Sequence, residues 1–182
     1  MKAKNHFELM AHYNRRLNEQ VYGAASGLDN TTLCKDLGAY FNSILGTLNH
    51  IMVGDLLWLN RFAKHSDLFV SLSKLNSYES PTSLDEILYQ DFNRLRHVRA
   101  EIDQIIITWA TSEAQQDDYM RAFKYTNSKG ISSTRNFGEV VSHFYNHQTH
   151  HRGQVSTLLS QLGYDIGVTD FLIDIPDDDS AS

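Results

Sequence analysis

The chain has 182 residues, of which 41% are hydrophobic, 11% aromatic and 21% charged. That balance suits one folded domain with a real core and excludes a chain disordered throughout. A net charge of −6 leaves no basic footprint for nucleic acid or an anionic membrane, and the single cysteine, Cys34, cannot close an internal disulfide.

Only two prolines, Pro81 and Pro176, interrupt the chain, so long stretches are free to be helical. The first helix is expected over about Phe7 to Ala25, where Phe7, Met10, Tyr13, Leu17 and Val21 recur at helical spacing before Ser26-Gly27. The second, the most apolar, is expected from Leu37 to Lys64. Phe69 to Ser80 reads as a long loop. A third helix is placed after Pro81-Thr82, with Ser83 and Glu86 as a capping box and a stripe of Leu84, Leu88, Leu95, Val98, Ile102, Ile105 and Trp109. Phe123 to Tyr125, a turn at Asn127 to Gly130 and the β-tolerant Ile131 to Thr134 predict a short hairpin. The fourth helix runs from Asn136, with Glu139 near its start, to Leu162, and Gly163 supplies the stop.

Four long helices in one compact chain read as an all-α helix bundle with a hairpin between the third and fourth. Residues 1–176 are expected to form the domain, and 177–182 an acidic, loose tail. The start of the chain has no apolar run of a secretory signal. The longest uncharged stretch, Leu37 to Gly54, carries Asn42, Ser43, Thr47, Asn49 and His50 and is too polar to span a bilayer. A cytoplasmic protein is the expectation.

Nine histidines are present, and four fall within nine residues of the fourth helix: His143, His147, His150 and His151. At about 100° per residue, His147 and His151 lie on or beside the apolar face, while His143 and His150 sit more than about 100° from its centre. A pair at i and i+4 on one face is a good chelate for a divalent ion, although two such histidines can also be core residues bonded to carbonyls. A third donor is available at His50 on the second helix. Small residues flank it (Ala39, Ser43, Gly46, Val53, Gly54), so another helix or a substrate can approach, while Phe41, Ile44, Leu48, Met52 and Leu59 form a bulkier stripe pointing elsewhere. Periodicity permits His50 to face the pair without requiring it. His6, His12, His65 and His97 read as surface residues, and Cys34 as a buried or incidental thiol. Trp58 and Trp109 read as core aromatics. Gln154, Asn146 and His150 are placed to hydrogen-bond around the pair, and Asp55 needs a partner on its apolar helix. Glu-x-x-His motifs, His-Glu-x-x-His, Gly-x-Ser-x-Gly and phosphate-cradling glycine loops are absent.

The run His143-Phe-Tyr-Asn-His147-Gln-Thr-His-His151-Arg-Gly-Gln154 is similar to the signature of the DinB/YfiT-like superfamily. So are Tyr13-Asn14-x-x-x-Asn18, Leu48-Asn-His50 followed by Asp55-x-x-Trp58, and Thr169-Asp-Phe-Leu172, in order along nearly the whole chain. The resemblance implies an up-and-down four-helix bundle, frequently a homodimer, that holds a divalent ion with His50, His147 and His151. Zinc or nickel is the first expectation, with iron, manganese or copper as alternatives. It further implies a metal-dependent thiol S-transferase that uses a low-molecular-weight thiol and a small-molecule substrate. Two other readings stay open: a metal-dependent hydrolase, and a non-enzymatic metal-binding dimer with a structural or sensor role.

Overall fold

The computed structural model describes residues 2–127 and 129–177, so the acidic tail expected at 177–182 lies, beyond Asp177, outside the described residues. The structure is mostly helical, with one small antiparallel hairpin before the last helix. Helix α1 spans Ala3–Ala25, and a short α2, Asn30–Cys34, is capped by Asp29, whose carboxylate accepts from Thr32 N at 2.8 Å. Helix α3 is Ile44–Phe62, α4 is Phe92–Thr108 and the brief α5 is Gln116–Met120. Strands β1, Ala122–Thr126, and β2, Ser132–Asn136, pair from Ala122 with Asn136 to Thr126 with Ser132. Helix α6, Phe137–Gln161, opens on Asn136, whose side chain accepts from Glu139 N at 3.0 Å, and Gly163 beyond its end adopts φ +83°. Helix α1 packs on α4 and α6, and α3 packs on α6 and, less extensively, on α4.

The starts of α3 and α4 differ from the sequence expectation. Helix α3 begins at Ile44, not Leu37, because Ser43 caps it through Gly46 N at 2.9 Å. Ahead of Ser43 the chain is a tight loop: Asn42 has φ 63°, Leu37 N donates to Asn42 O, and Asn42 N donates to Ala39 O. Gly46 is required there, since a Cβ would lie 2.2 Å from the Phe41 carbonyl oxygen. Helix α4 begins at Phe92, capped by the Asp91 carboxylate through Arg94 N at 2.7 Å, and not at Ser83. Glu86 does bind Ser83 N, and more closely Thr82 N and Oγ1, but it closes a loop rather than a helix. At its other end α4 runs on through a π-helical turn, Trp109–Glu113. The loop expected at Phe69 to Ser80 holds a 3-10 segment, Val70–Ser77, pinned where the Glu113 carboxylate accepts from Ser71 N and Oγ at 2.8 Å each.

The histidine assignments need one correction. His12 and His97 are exposed and His6 is half-buried, but His65 is not a free surface residue. Its ring stacks on Phe137 at 4.0 Å between centroids and its Nε2 lies 3.2 Å from the Asp118 carbonyl. Cys34 is exposed at the end of α2, Trp109 is fully buried and Trp58 is half-buried.

The core contains a group of charges as well as apolar side chains. Arg99 Nη1 donates to Asp55 Oδ2 at 2.5 Å, and Gln148 Nε2 donates to Asp55 Oδ1 at 2.7 Å. Asn18 Nδ2 reaches both oxygens of Asp103, at 2.9 and 3.1 Å, and Arg152 donates to Asn14, Asn18 and Gln148. Arg99 Nη2 lies 3.0 Å from Asp103 Oδ1, an ion-pair contact without hydrogen-bond alignment. All seven side chains are buried, and they come from α1, α3, α4 and α6. Burial pushes the Asp55 carboxyl up to about 6 against the pull of Arg99, and pushes Arg152 down to about 10, so both keep their charge at neutral pH. Removing one partner strands a buried charge. Arg99→Leu is expected to lower the unfolding free energy by about 3–5 kcal/mol in urea titrations. Arg15→Ala, which breaks the exposed pair with Glu19, is expected to stay within about 0.5 kcal/mol.

Candidate metal centre

His50 sits in the second turn of α3, and His147 and His151 one turn apart on α6. The packing of α3 on α6 brings all three imidazoles together: one ring nitrogen from each lies within 4.8 Å of the others. His50 Nε2 and His147 Nε2 are 3.1 Å apart, and the ring centroids are separated by 5.0 Å (His50–His147), 4.4 Å (His50–His151) and 4.5 Å (His147–His151). The close approach depends on Gly54, where a Cβ would lie 2.7 Å from His147 Cε1.

Two rings are oriented by partners outside the cluster. His50 Nδ1 is 2.7 Å from the Leu84 carbonyl. A carbonyl only accepts, so Nδ1 carries the hydrogen and Nε2 presents a lone pair. His151 Nδ1 lies 2.8 Å from Gln154 Oε1 and is set in the same way, so Gln154 contacts a ring of the cluster directly. The Gln154 amide nitrogen is in turn 3.4 Å from His150 Nε2. Phe41, expected on a stripe of the second helix that points away from His50, instead precedes α3 and stacks on His50 at 3.7 Å between centroids and 17°. His143 and His150 are exposed, as the helical wheel indicates. Asp55 finds its partner in Arg99, and Gln148 also bonds it.

Burial lowers the pKa of all three clustered histidines. It is opposed at His50 by the Leu84 carbonyl and at His151 by Gln154, and reinforced at His147 by the other four imidazoles of the region, which takes that group down to about 3. The cluster is therefore neutral near pH 7. It offers three nitrogen lone pairs and no carboxylate, a donor set that fits a divalent ion of borderline softness. A cleft of about 820 Å³ opens over His50 and His151, bordered by residues of the loops before α3 and before α4.

The DinB family model matches residues 1–178. The chain belongs to the DinB family. A relative, "Protein DinB" of Bacillus subtilis (strain 168), is 24% identical over 159 residues, 87% of either chain. No solved structure matches this DinB-family chain, and among its described residues no helix is long and apolar enough to cross a membrane.

Sequence reasoning missed Leu84, because the bond uses a carbonyl and any residue supplies one. It also missed Arg99, Asp103 and Arg152, because charged side chains are ordinarily read as solvated. A signal for Arg99 was available, since it falls on the stripe of Leu95, Ile102 and Ile106.

The depressed histidine pKa values have a stability consequence with a definite sign. Between about 3 and 6.5 the unfolded chain binds protons that folded His147 refuses, so stability falls as pH drops below the unfolded value. In metal-free protein, His147→Leu is expected to reduce the loss of unfolding free energy between pH 7 and 5 by up to ~1.4 kcal/mol per pH unit, measured by urea denaturation across pH.

Proposed function

We propose that His50, His147 and His151 hold one divalent metal ion and that the protein is a metal-dependent thiol S-transferase. The observation that carries the metal reading is the convergence of three neutral imidazoles, two of them turned by outside acceptors so that Nε2 faces the cluster. Zinc or nickel suits such donors best, with the ion actually held also depending on availability. Membership of the DinB family supports the same reading, and the thiol transfer rests on the resemblance of the histidine motif to that superfamily. The reading also makes α1, α3, α4 and α6 an up-and-down four-helix bundle of the family type and the working form a homodimer.

Three protein ligands leave room for a fourth, the arrangement of a catalytic rather than a closed structural site. The chemistry supplied by an ion bound there is Lewis acidity, which favours the thiolate form of a thiol ligand. The chain's own residues do the rest. Leu84 and Gln154 keep two rings from rotating, Gly54 admits the third, and the cleft beside His50 and His151 admits the substrates. In the transfer the sulfur forms a bond to an electrophilic carbon. The leaving group departs with the electron pair of the broken bond, and the thiol proton passes to solvent.

Equilibrium dialysis with elemental analysis is expected to find about one divalent ion per chain, lost in a folded His147→Ala/His151→Ala variant. Wild type that takes up no offered metal overturns the proposal. Gln154→Leu is expected to weaken metal affinity roughly 10- to 100-fold, as removal of a ligand's orienting partner commonly does. Gly54→Ala, which drives a methyl group into His147, is expected to weaken it at least as much. Cobalt-loaded protein is expected to develop a thiolate-to-metal absorption band when titrated with 2-mercaptoethanol. Metal uptake without any such band, together with ester or amide cleavage, assigns the site to hydrolysis instead.

A further inference from the structure

The cleft beside the histidines has an apolar rim that the three-imidazole cluster does not explain. Tyr40 is 85% exposed, Leu84 49% and Ile87 43%, and all three border the same opening. Such side chains ordinarily turn inward when their loop is free to do so, because exposure of each costs about 25 cal/mol per Å² of apolar surface. Here the loops are held. Asn49, buried on α3, clamps Tyr89 in both directions: its Oδ1 accepts from Tyr89 N at 2.9 Å and its Nδ2 donates to Tyr89 O at 3.0 Å. His50 grips the Leu84 carbonyl, and Glu86 ties back to Thr82. On the other wall, Phe41 lies tight over Gly46 and stacks on His50, and Tyr40 meets Phe41 edge to face at 4.8 Å. The rim is thus preformed, and its apolar groups face a concavity whose floor includes His50 and His151.

We infer that the substrate entering this cleft carries an apolar group of ring size, which seats between Tyr40, Leu84 and Ile87 while its polar end reaches the histidines. The occupant is a small molecule because the surface is concave, holds about 820 Å³, and mixes apolar walls with a few polar groups, the exposed Asn42 and Asp85 at the mouth and His50 and His151 at the floor. Small-ligand sites occupy a similar range, roughly 300–1,000 Å³, and combine apolar walls with a few placed polar atoms. A second copy of the chain would need about 800 Å² of complementary surface from each partner. The inference rests on the metal reading for the polar end only, since the rim exists with or without an ion.

The test compares two thiols on cobalt-loaded protein, followed by the thiolate absorption band. Phenylmethanethiol is expected to bind roughly 10- to 100-fold tighter than 2-mercaptoethanol, the range that burial of a phenyl-sized group supports. Tyr40→Ser and Ile87→Ser, both at exposed positions, are expected each to cut that preference to a few-fold. Equal binding of the two thiols by wild type, or a preference unchanged in both variants, overturns the inference. Protein that takes up no cobalt refutes the metal reading instead. The rim is then read alone by saturation-transfer NMR of phenylmethanol on the metal-free chain: a signal diminished in Ile87→Ser upholds it, and no signal overturns it. Light scattering completes the set. A dimer that Tyr40→Ser and Ile87→Ser convert to monomer without changing the thiol preference gives the rim to a second copy, and the inference falls.

Discussion

Two carboxylates and two guanidiniums, Asp55, Asp103, Arg99 and Arg152, are enclosed where α1, α3, α4 and α6 meet, and their pairing constrains how those helices can slide. Apolar side chains tolerate small shifts along a helix axis, but buried charges do not, because a lost partner leaves an ion without solvent or counter-charge. The group includes neighbours of the histidines. Asp55 follows Gly54, and Gln148, which bonds Asp55, follows His147. The bond that sets α3 against α6 therefore also sets Gly54 beneath His147. Arg152, next to His151, extends the same connection to Asn14 and Asn18 of α1.

This arrangement accounts physically for five of the twelve residues from His143 to Gln154. His147 and His151 face the cluster, Gln148 and Arg152 face the buried charges, and Gln154 returns to orient His151. The remaining family-like segments have corresponding roles. Asn14 and Asn18 enter the charge group, and the Tyr13 hydroxyl donates to the Thr169 carbonyl at 3.1 Å. Arg16 bonds Asp174 and the carbonyls of Val168 and Asp170, which fastens the segment after α6 along α1. No structure is evident that would give Gly153 a comparable role, as space around it is open.

What could be read in advance followed periodicity, and what could not followed long-range contacts. His147 and His151 repeat with the apolar face of one helix, so their inward direction was legible from that helix alone. The hairpin and the cap at Asn136 rest on neighbours within a few residues and were equally legible. His50 could be nominated but not oriented, since its partner is a backbone atom 34 residues away. The start of α4 was misplaced for a related reason. Ser83 and Glu86 have the pattern of a helix start, and their bond forms, yet Asn49 and His50 capture the backbone of Tyr89 and Leu84 and hold the intervening chain open. A local signal gave way to three tertiary hydrogen bonds.

The hold on His50 comes from the main chain at residue 84, whose side chain points into the cleft mouth. One residue thus serves two purposes through separate atoms. Its carbonyl keeps the imidazole aimed whatever side chain the position carries, so long as the loop keeps its path. Its side chain is left free to change the shape of the entrance. Orientation of the imidazole and the shape of the cleft mouth are decoupled at this position, and the entrance can be altered there without rebuilding the histidine cluster beneath.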